Sequence, residues 1–511
     1  MIKLLSWQDF DFMEENKTEE IGVTLNDSDG KSVTIKQVKD SFETTHVITK
    51  VLGQGGQGLV CLTENSEIVI KFALDSKGQL ISRDKNKAEF QRNDNDFKAV
   101  VYKPFPDRIH IAFPMARLAD YSGYVMRLMG DMTSFSDLVP VSEDGIKKMS
   151  EDGGHRRRFL LLAKLAAILA KLHGNGMVYC DLSPNNVFVT KDSKLETQNV
   201  WLIDADNVFI PGDNADKLVY TPRYAAPELF AGKACSLNSD VYSFATIAFE
   251  SLAALHPFAG KKAANWEDDD GDDWDASTKN KTNTSFAIDP QYSGKYPWVE
   301  DIEDDSNHTQ AGLPRQNFLT NETFALFNMT FSEQGRESPK SRPTASLWAR
   351  AFAHSHAVSV SCPKCGMSFV YDGTYKKCPW CDKSLPQMLL LKDENDRIVF
   401  AHELNGSDSD NEKSIPLPEH IFAPFNIDSF YQTSLSAHPV VTIDGFGIEF
   451  QLERTETNSE KEFFLCINGN EEKIISRYIL KFKKNEQYSL KCKDKKSGTT
   501  YSLKILLDGA R

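Results

Sequence analysis

The stretch YCDLSPNNVFV, residues 179–189, is the part of the chain from which the fold can be argued. Asp181 and Asn186 share one turn in it, and the apolar strand VWLIDAD (200–206) that follows leads into Asp204. Two carboxylates and an amide on adjacent turns are typical of a Mg²⁺ site beside a general base, because Mg²⁺ prefers oxygen ligands and shares them with substrate phosphates. A lone aspartate in a turn is more often only a turn residue, so the interpretation depends on the rest of the chain.

A glycine-rich segment lies upstream of this stretch. GQGGQG (53–58) fits the pattern G-x-G-x-x-G with Gly53, Gly55 and Gly58, and an apolar strand through Val60 follows it. A dinucleotide-binding turn would need a helix at that point. The pattern therefore favours a strand–turn–strand flap whose backbone N–H groups approach phosphate oxygens.

A lysine follows the glycine-rich segment within an apolar strand. Lys71 ends the run IVIK, where burial of its ammonium group would be costly without an anionic partner. Glu89, on a predicted helix, is the preferred partner, and Asp84 lies in the same stretch. The alternative is a surface lysine whose ammonium group stays in water.

In this order the segments resemble the protein kinase superfamily, and specifically the eukaryotic-like Ser/Thr kinases of bacteria. The resemblance covers about residues 47–355 and predicts a two-lobed α+β fold. The segments that carry it are VLGQGGQGLV, IVIK, YCDLSPNN, DAD (204–206), YTPRYAAPE (220–228), DVYSFA (240–245) and SRPTASLW with its Arg342.

The resemblance assigns a role to each of these residues. Lys71, oriented by Glu89, would hold the α- and β-phosphates of ATP, and Asp181 would accept the proton of the substrate hydroxyl. Asn186 and Asp204 would hold Mg²⁺ or Mn²⁺ and complete the catalytic set with Lys71 and Asp181. The implied ATP-binding set is Gly53, Gly55, Gly58, Val60, Lys71, Glu89, Met126, Leu128, Met129, Asn186 and Asp204. Arg342 would pair with Glu228.

Several positions depart from the family pattern. Tyr179-Cys180 replaces His-Arg, and the stretch 207–220 contains neither Ser nor Thr, so we expect activity without phosphorylation of that stretch. Ser183 stands where a lysine near the γ-phosphate is usual, and DAD replaces Asp-Phe-Gly. An active kinase is still preferred, because the lysine and both catalytic aspartates remain. The alternative is an ATP-binding pseudokinase that acts as a scaffold.

Four cysteines follow the kinase-like region as C-x2-C-x12-C-x2-C, at Cys362, Cys365, Cys378 and Cys381. Each Cys-x-x-Cys can give two thiolates to one tetrahedral Zn²⁺, so the spacing predicts a structural zinc ribbon. Four thiolates leave no open position for catalysis. A redox role is the alternative for a single pair.

Composition limits the other classes of function. The net charge of −14 argues against nucleic-acid binding. FLLLAKLAAILAKLH (159–173) is too short and too charged to span a membrane, the N-terminus shows no signal peptide, and scattered cysteines suit a reducing cytoplasm. The run HRRR (155–158) is interpreted as a solvated helix end, and WEDDDGDDWD (266–275) as a solvated acidic loop.

These inferences divide the chain into an N-terminal extension (1–46), a protein kinase domain (47–355), the zinc ribbon (356–385) and a mainly-β C-terminal domain of unknown role (386–511). The expected partners are protein substrates. Kinases with an appended zinc ribbon also resemble members of bacterial phosphorylation triads linked to tellurite resistance. That resemblance implies a von Willebrand A-type protein and a metal-dependent phosphatase as further partners.

Overall fold

The computed structural model describes most of the chain. The described residues are 22–55, 58–140, 142–212, 218–264, 290–404, 415–430, 432–442, 445–452, 460–483 and 485–508. The acidic stretch at 266–275 lies outside them, so its interpretation as a solvated loop stays a prediction. No helix among the described residues is long and apolar enough to cross a membrane.

An antiparallel sheet with one long helix forms the smaller lobe. Its strands are β3 (Gln37–Lys39), β4 (Thr45–Gly55), β5 (Gly58–Thr63), β6 (Ile68–Ala73), β7 (Ala116–Arg117) and β8 (Gly123–Arg127), in the order β3-β4-β5-β6-β8-β7. Helix α1 (Lys87–Val101) contacts β7 and β8. The hairpin of β1 (Val23–Asn26) and β2 (Ser32–Ile35) packs into the same apolar core. The sheet therefore continues into the predicted N-terminal extension without a break at residue 47.

Helices dominate the larger lobe. They are α2 (Glu143–Glu151), α3 (Gly154–Gly174), α4 (Pro227–Phe230), α5 (Leu237–Ala253), α6 (Asn321–Phe331), α7 (Glu333–Glu337) and α8 (Ala345–Ala357). A small sheet of β9 (Met132–Ser134), β10 (Val187–Thr190) and β11 (Val200–Leu202) joins them in the order β11-β10-β9. Helix α5 is buried along its length because its sequence is apolar on every face.

The run HRRR does not form a solvated helix end, so that expectation is wrong. His155, Arg157 and Arg158 are buried at the start of α3. Arg157 donates to Gln198 Oε1 and to backbone carbonyls, and Arg158 forms an ion pair with Asp152 at 2.8 Å. These partners satisfy the guanidinium groups, which is how an arginine is tolerated inside a protein.

The chain after α8 is mainly β. Strands β12 (Ser359–Ser361) and β13 (Ser368–Val370) form a hairpin, and the remaining strands form two antiparallel sheets with the orders β15-β14-β23-β22-β19-β20 and β16-β17-β18-β21. Their bounds are β14 (Gln387–Lys392), β15 (Ile398–Leu404), β16 (Ile415–Pro418), β17 (Thr433–Thr442), β18 (Gly445–Leu452), β19 (Lys461–Ile467), β20 (Asn470–Lys473), β21 (Arg477–Lys481), β22 (Tyr488–Asp494) and β23 (Thr500–Asp508). Both sheets contribute to one apolar core, in agreement with the mainly-β prediction. The domain boundaries at 355/356 and 385/386 stay predictions.

The β12–β13 hairpin is packed on the larger lobe at the start of α3. Ser368 Oγ accepts a hydrogen bond from the backbone N–H of Arg156 at 2.9 Å. The His155 ring lies between the carbonyls of Ser368 and Leu252 and is stacked near Trp380 and Phe318. The hairpin therefore supplies a hydrogen-bond acceptor to the first turn of α3.

Candidate active site

A strand lies on each side of residues 56 and 57 in the glycine-rich segment, as predicted, and residues 56 and 57 themselves lie outside the described residues. Strand β4 ends at Gly55 and β5 begins at Gly58, with Gly53 paired to Val60 in the antiparallel register. A Cβ atom at Gly58 would lie 2.2 Å from the carbonyl oxygen of Phe72, so no larger residue fits there without moving the backbone. The close approach of β5 to β6 at this point therefore requires glycine.

Lys71 projects from β6 beneath this flap. In the sheet it is paired with Val60 on one side and Tyr124 on the other. Its Nζ lies 2.6 Å from Asp204 Oδ1, and its side chain is 13% exposed. Burial alone would lower the pKa of Lys71, but the charges around it, including that of Asp204, raise the pKa above its ordinary value. The ammonium group is therefore held charged and largely buried at the cleft, so Lys71 is not a surface lysine whose ammonium group stays in water.

The expected ion pair between Lys71 and Glu89 is absent, which corrects the prediction. Glu89 lies in the first turn of α1 and makes no ion pair with the part of the chain that the structure describes, and Lys71 binds Asp204 instead. Nearer to the lysine, α1 presents Phe97, whose ring packs edge to face on Tyr124 at 5.1 Å between centroids. The contact between α1 and β8 at this point is therefore made by two aromatic rings, those of Phe97 and Tyr124.

The turn that carries Asp181 holds its side chain in place. Thr221 Oγ1 donates a hydrogen bond to Asp181 Oδ1 at 2.7 Å, and Asn186 Nδ2 donates to the Asp181 carbonyl at 2.8 Å. Because Nδ2 is used in this way, the Oδ1 of Asn186 is directed away as an acceptor. Asp204 and Asn186 thus offer two oxygen donors of the type that Mg²⁺ prefers, and the residues present fit the ion.

Two unusual backbone conformations position these groups. Asp204 has φ 54° and Cys180 has φ 72°, both in the left-handed region that non-glycine residues rarely adopt. The buried carboxylate of Asp240 accepts hydrogen bonds from the backbone N–H groups of Tyr179 at 2.8 Å and Cys180 at 3.0 Å. His173 Nε2 lies 3.0 Å from the same carboxylate. Sequence reasoning missed this role of Asp240, because an acidic residue in the first turn of a helix is common without a tertiary partner.

Tyr179 connects the turn that carries Asp181 to the turn that carries Asp204. Its side chain is fully buried, and its hydroxyl donates a hydrogen bond to the carbonyl of Ile203, the residue before Asp204. Burial, followed by the charges of nearby aspartates such as Asp204 and Asp181, holds the pKa of Tyr179 well above its ordinary value, so the phenol stays a donor. The residue that replaces the family histidine thus makes a defined contact.

The structure also places Ser183 and the residues at the end of β8. Ser183 is 2% exposed, and its hydroxyl carries no charge, so it does not replace the charge of a lysine at this position. Met126 pairs with Val69 one residue before β8 ends at Arg127, and Leu128 and Met129 follow on the link between the lobes. The backbone N–H of Leu128 donates to the carbonyl of Glu67 at 2.7 Å. Three residues of the implied ATP-binding set, Met126, Leu128 and Met129, therefore lie within four consecutive positions at the end of β8.

The segment that follows the metal-binding turn is anchored to the larger lobe. Arg342 Nη1 and Nη2 bind Glu228 Oε1 and Oε2 at 2.7 and 2.8 Å, and both side chains are buried. The guanidinium carbon of Arg342 also lies 4.8 Å from the centre of the Tyr242 ring. The expected pairing of Arg342 with Glu228 is confirmed.

The four cysteines of the C-x2-C motifs converge at one point. Their Sγ atoms all lie within 4.8 Å of one another. Cys362 Sγ to Cys381 Sγ and Cys365 Sγ to Cys378 Sγ are each 3.8 Å. A tetrahedral Zn²⁺ with bonds of about 2.3 Å places its sulfurs about 3.8 Å apart, so the cluster fits this metal.

Known proteins resemble the part of the chain that holds the cleft. The family model described as "Protein kinase domain" matches residues 126–346. Ribosomal protein S6 kinase alpha-2 of Mus musculus and its Homo sapiens counterpart are each 28% identical over 243 residues, or 44% of this chain and 30% of theirs. Ribosomal protein S6 kinase 2 beta of Xenopus laevis is 27% identical over 239 residues, or 44% of this chain and 34% of its own length. The chain thus spans about a third of the length of these relatives.

The matched region and the geometry of the cleft agree. Asp181, Asn186, Asp204 and Glu228 all fall within residues 126–346, and the flap and Lys71 meet them from the sheet that precedes this region. The comparisons thus show that residues 126–346, which hold Asp181, Asn186 and Asp204, are similar to a protein kinase domain.

Proposed function

We propose that the protein transfers the γ-phosphoryl group of ATP to serine or threonine hydroxyls of protein substrates. The observation that supports the proposal is that two pairs lie on adjacent turns. Lys71 Nζ lies 2.6 Å from Asp204 Oδ1, Asn186 Nδ2 donates to the Asp181 carbonyl, and the backbone N–H of Ile203 donates to the Asn186 carbonyl at 3.1 Å. Phosphoryl transfer requires positioning and charge neutralisation more than covalent assistance. The cleft supplies one buried cation, a hydroxyl-orienting carboxylate and two oxygen donors for Mg²⁺.

Each residue has a distinct part in this chemistry. The Asp181 carboxylate, fixed by Thr221, accepts or orients the proton of the attacking hydroxyl. The Lys71 ammonium binds phosphate oxygens, and Asp204 and Asn186 would hold Mg²⁺, which neutralises charge on the transferred group when bound. In this proposal the glycines of the paired strands β4 and β5 allow the backbone to come close to the phosphates.

Labelled ATP and a mixture of serine-, threonine- and tyrosine-containing peptides test the proposal. We expect Mg²⁺-dependent transfer to serine or threonine that falls at least about a hundredfold in Asp181→Asn and Asp204→Ala. Asp144→Ala, at a side chain that is 93% exposed on α2, is the matched control and should behave like the wild type. Transfer that survives both active-site changes would contradict the proposal.

The alternative is an ATP-binding pseudokinase that works as a scaffold through its cysteine cluster and C-terminal sheets. The buried Ser183 favours it, because no lysine stands at that position to meet the γ-phosphate. The same assay separates the two functions. ATP that binds in a Mg²⁺-dependent manner, with no transfer to peptide or to the protein itself, would favour the scaffold.

We also propose that the chain needs no phosphate on residues 207–220. This stretch has no Ser or Thr, and the buried Cys180 stands where the family arginine would meet such a phosphate. Protein treated with phosphatase should therefore retain its transfer rate. Mass spectrometry that finds an activating phosphate on this stretch, at Tyr220 for example, would overturn the idea.

For the cysteine cluster, we propose one structural Zn²⁺ per chain. The distances between sulfurs fit a tetrahedral site, and the backbone N–H groups of Lys364 and Trp380 point at Cys362 and Cys378 Sγ at 3.4 Å. Metal analysis should give one zinc per chain in the wild type and much less in Cys365→Ser/Cys381→Ser. Folded protein with far less than one zinc would refute a structural role.

The cellular setting is proposed from architecture alone. A kinase domain followed by a cysteine cluster and a β-rich region suits a cytoplasmic bacterial signalling or stress-response kinase. Its proposed partners are a von Willebrand A-type protein and a metal-dependent phosphatase. Affinity purification of the full chain from its native cell, followed by mass spectrometry, tests this. If neither a von Willebrand A-type protein nor a metal-dependent phosphatase is found among the specific partners, the triad proposal is wrong.

A further inference from the structure

An open pocket lies beside the place where the proposed function puts the substrate hydroxyl. Thr221 donates a hydrogen bond to Asp181 Oδ1 at 2.7 Å, and Asp181 is the carboxylate assigned to that hydroxyl. The 3-10 turn Pro222–Tyr224 follows directly, and its Arg223 lines a pocket of about 240 Å³. Arg223 is two residues from Thr221, a distance of about 7 Å at most. A substrate side chain that reaches Arg223 therefore belongs to a residue within about four positions of the acceptor.

Glu250 is the acidic side chain in the described lining of this pocket, and its carboxylate is already used. The side chain is 4% exposed. Its Oε1 accepts hydrogen bonds from Nε of Arg223 at 2.9 Å and from Nη2 of the same residue, and its Oε2 accepts one from the Tyr224 hydroxyl at 2.9 Å. The pocket therefore holds no available carboxylate for a basic side chain of a substrate.

Arg223, in contrast, is held in one orientation and is still partly open. Its Nη1 donates to the Tyr292 hydroxyl at 2.8 Å, and its backbone carbonyl accepts from His256 Nε2 at 3.0 Å. Its side chain is nevertheless 41% exposed. A guanidinium group has five N–H donors, of which the bonds to Glu250 and Tyr292 use three. No described residue accepts from the other two.

We propose that Arg223 binds an acidic group of the protein substrate, within about four positions of the residue that is phosphorylated. The group is a carboxylate of Asp or Glu or the phosphate of a residue that already carries one, because both match the paired donors of a guanidinium. The inference rests on the proposed function and names a substrate class for it. Glu250 offsets part of the charge of Arg223, so recognition depends on the geometry of the N–H donors more than on charge alone. A lysine, which is a point charge without that geometry, would be a poor replacement.

The test uses the full chain and an otherwise neutral serine peptide. One glutamate is moved from four positions before the serine to four positions after it, and glutamine and lysine take its place in matched peptides. At the best position we expect kcat/KM to be about tenfold higher with glutamate than with glutamine, mainly through KM, because a hydrogen bond to a charged group is gained. Phosphoserine at that position shows whether a phosphate is bound better than a carboxylate.

The variants are compared by the ratio of kcat/KM for the glutamate peptide to that for the glutamine peptide. This ratio is formed within one protein, so a general loss of activity cancels. It should fall to about one in Arg223→Gln and recover only in part in Arg223→Lys. The double variant Arg223→Gln/Glu250→Gln leaves no buried carboxylate unpaired and should also give about one. Arg350→Gln, at an ion-paired arginine that is 54% exposed on α8, is the matched control and should keep the wild-type ratio.

Three results would overturn the proposal. They are a wild-type ratio near one at every position with glutamate and with phosphoserine, a preference for lysine, and a ratio that is unchanged in the double variant. If the wild type binds ATP but phosphorylates no peptide, the proposed function fails instead. Fluorescence anisotropy of the same labelled peptides then compares their affinities for the wild type and Arg223→Gln. Equal affinities for the glutamate and glutamine peptides in the wild type would refute the role of Arg223 as well.

Discussion

Individual side chains set the geometry of the cleft through backbone contacts. Cys180 and Asp204 adopt left-handed conformations that cost about 1–2 kcal/mol each for residues with a Cβ. Asp240 offsets part of this cost by binding two consecutive backbone N–H groups from inside the lobe. The Tyr179 hydroxyl donates a hydrogen bond to the carbonyl of Ile203, the residue before Asp204. Asp240 on α5 therefore holds the turn that carries Asp181, and Tyr179 links that turn to the one that carries Asp204.

The Tyr179 hydroxyl gives a test of this bracing. Tyr179→Phe keeps the buried ring but leaves the Ile203 carbonyl without its donor, which should cost about 1–2 kcal/mol of stability. We expect kcat to fall about three- to tenfold because the turn before Asp204 loses its fixed position. Steady-state kinetics and thermal unfolding measure the two effects. Tyr102→Phe, at a side chain that is 68% exposed, is the matched control, and equal losses in both variants would contradict the bracing role.

At this scale the sequence predicts residue types better than residue partners. Asp181, Asn186 and Asp204 could be found because each sits at a fixed distance along the chain from an apolar strand. The partner of Lys71 could not, because it depends on how α1 is rotated against the sheet. A polar helix such as α1, with only Phe90 and Val100 fully buried, gives little information on that rotation.

Among the elements, α4 is held to the larger lobe through Glu228. Glu228 and Arg342 form a bidentate pair in the interior, and the guanidinium also faces the Tyr242 ring at the start of α5. Three parts of the chain that are distant in sequence meet at this pair. The position of the segment that faces the substrate therefore depends on a buried ion pair as well as on apolar packing.

Breaking this pair should be far more costly than breaking an exposed one. Arg342→Met leaves the Glu228 carboxylate buried without its partner, and we expect a loss of about 3–5 kcal/mol in the free energy of unfolding. Arg350→Met removes an ion pair with Glu322 at a side chain that is 54% exposed, for which about 0–1 kcal/mol is expected. Urea unfolding of both variants measures the difference. Similar losses of stability in the two variants would contradict the expected cost of leaving the buried Glu228 carboxylate without Arg342.

The elements also show where sequence reasoning reached its limit. The pairing of Glu228 with Arg342 was predicted correctly, because both residues belong to segments that resemble family motifs. The burial of Arg157 and Arg158 was not, because the groups that satisfy them lie on other elements, including Leu138 and Gln198. A charged run appears solvated in sequence unless its distant partners are known.

For the whole molecule, the kinase lobe, the cysteine hairpin and the C-terminal sheets share extensive contacts. Arg156 at the start of α3 approaches Glu403 at 3.3 Å and His402 at 2.8 Å on β15. Tyr371 donates to Asp508 at 2.7 Å, which ties the hairpin region to the last strand. The four-cysteine cluster therefore lies between the larger lobe and the sheets that follow it.

His155 makes this junction sensitive to acid. Burial lowers its pKa to about 4, an effect to which the Arg158 charge adds, although the carbonyls of Leu252 and Ser368 favour the protonated ring. The unfolded chain binds a proton near pH 6.5, so the folded state loses stability as the pH falls below 6.5 and has lost about 3 kcal/mol from this group near pH 4. Above pH 6.5 the group contributes no pH dependence.

Unfolding of the wild type and His155→Phe across pH 7 to 4 tests this. The aromatic replacement keeps the stacking with Phe318 but cannot titrate, so the wild type should lose about 3 kcal/mol more than the variant over this range. Taking the difference between the two curves removes the contribution of the other histidines. Parallel curves would show that His155 does not titrate differently in the folded protein.

The hydrogen bond from the backbone of Arg156 to Ser368 has a consequence for the order in which the chain folds. The first turn of α3 lacks a side-chain cap from Gly153, and its N–H group is satisfied by a residue synthesised some 212 positions later. Contacts between such distant parts of a chain form late, because a long loop must close first. During synthesis the central helix of the catalytic lobe therefore stays incomplete at one end until the ribosome has passed the cysteine motif.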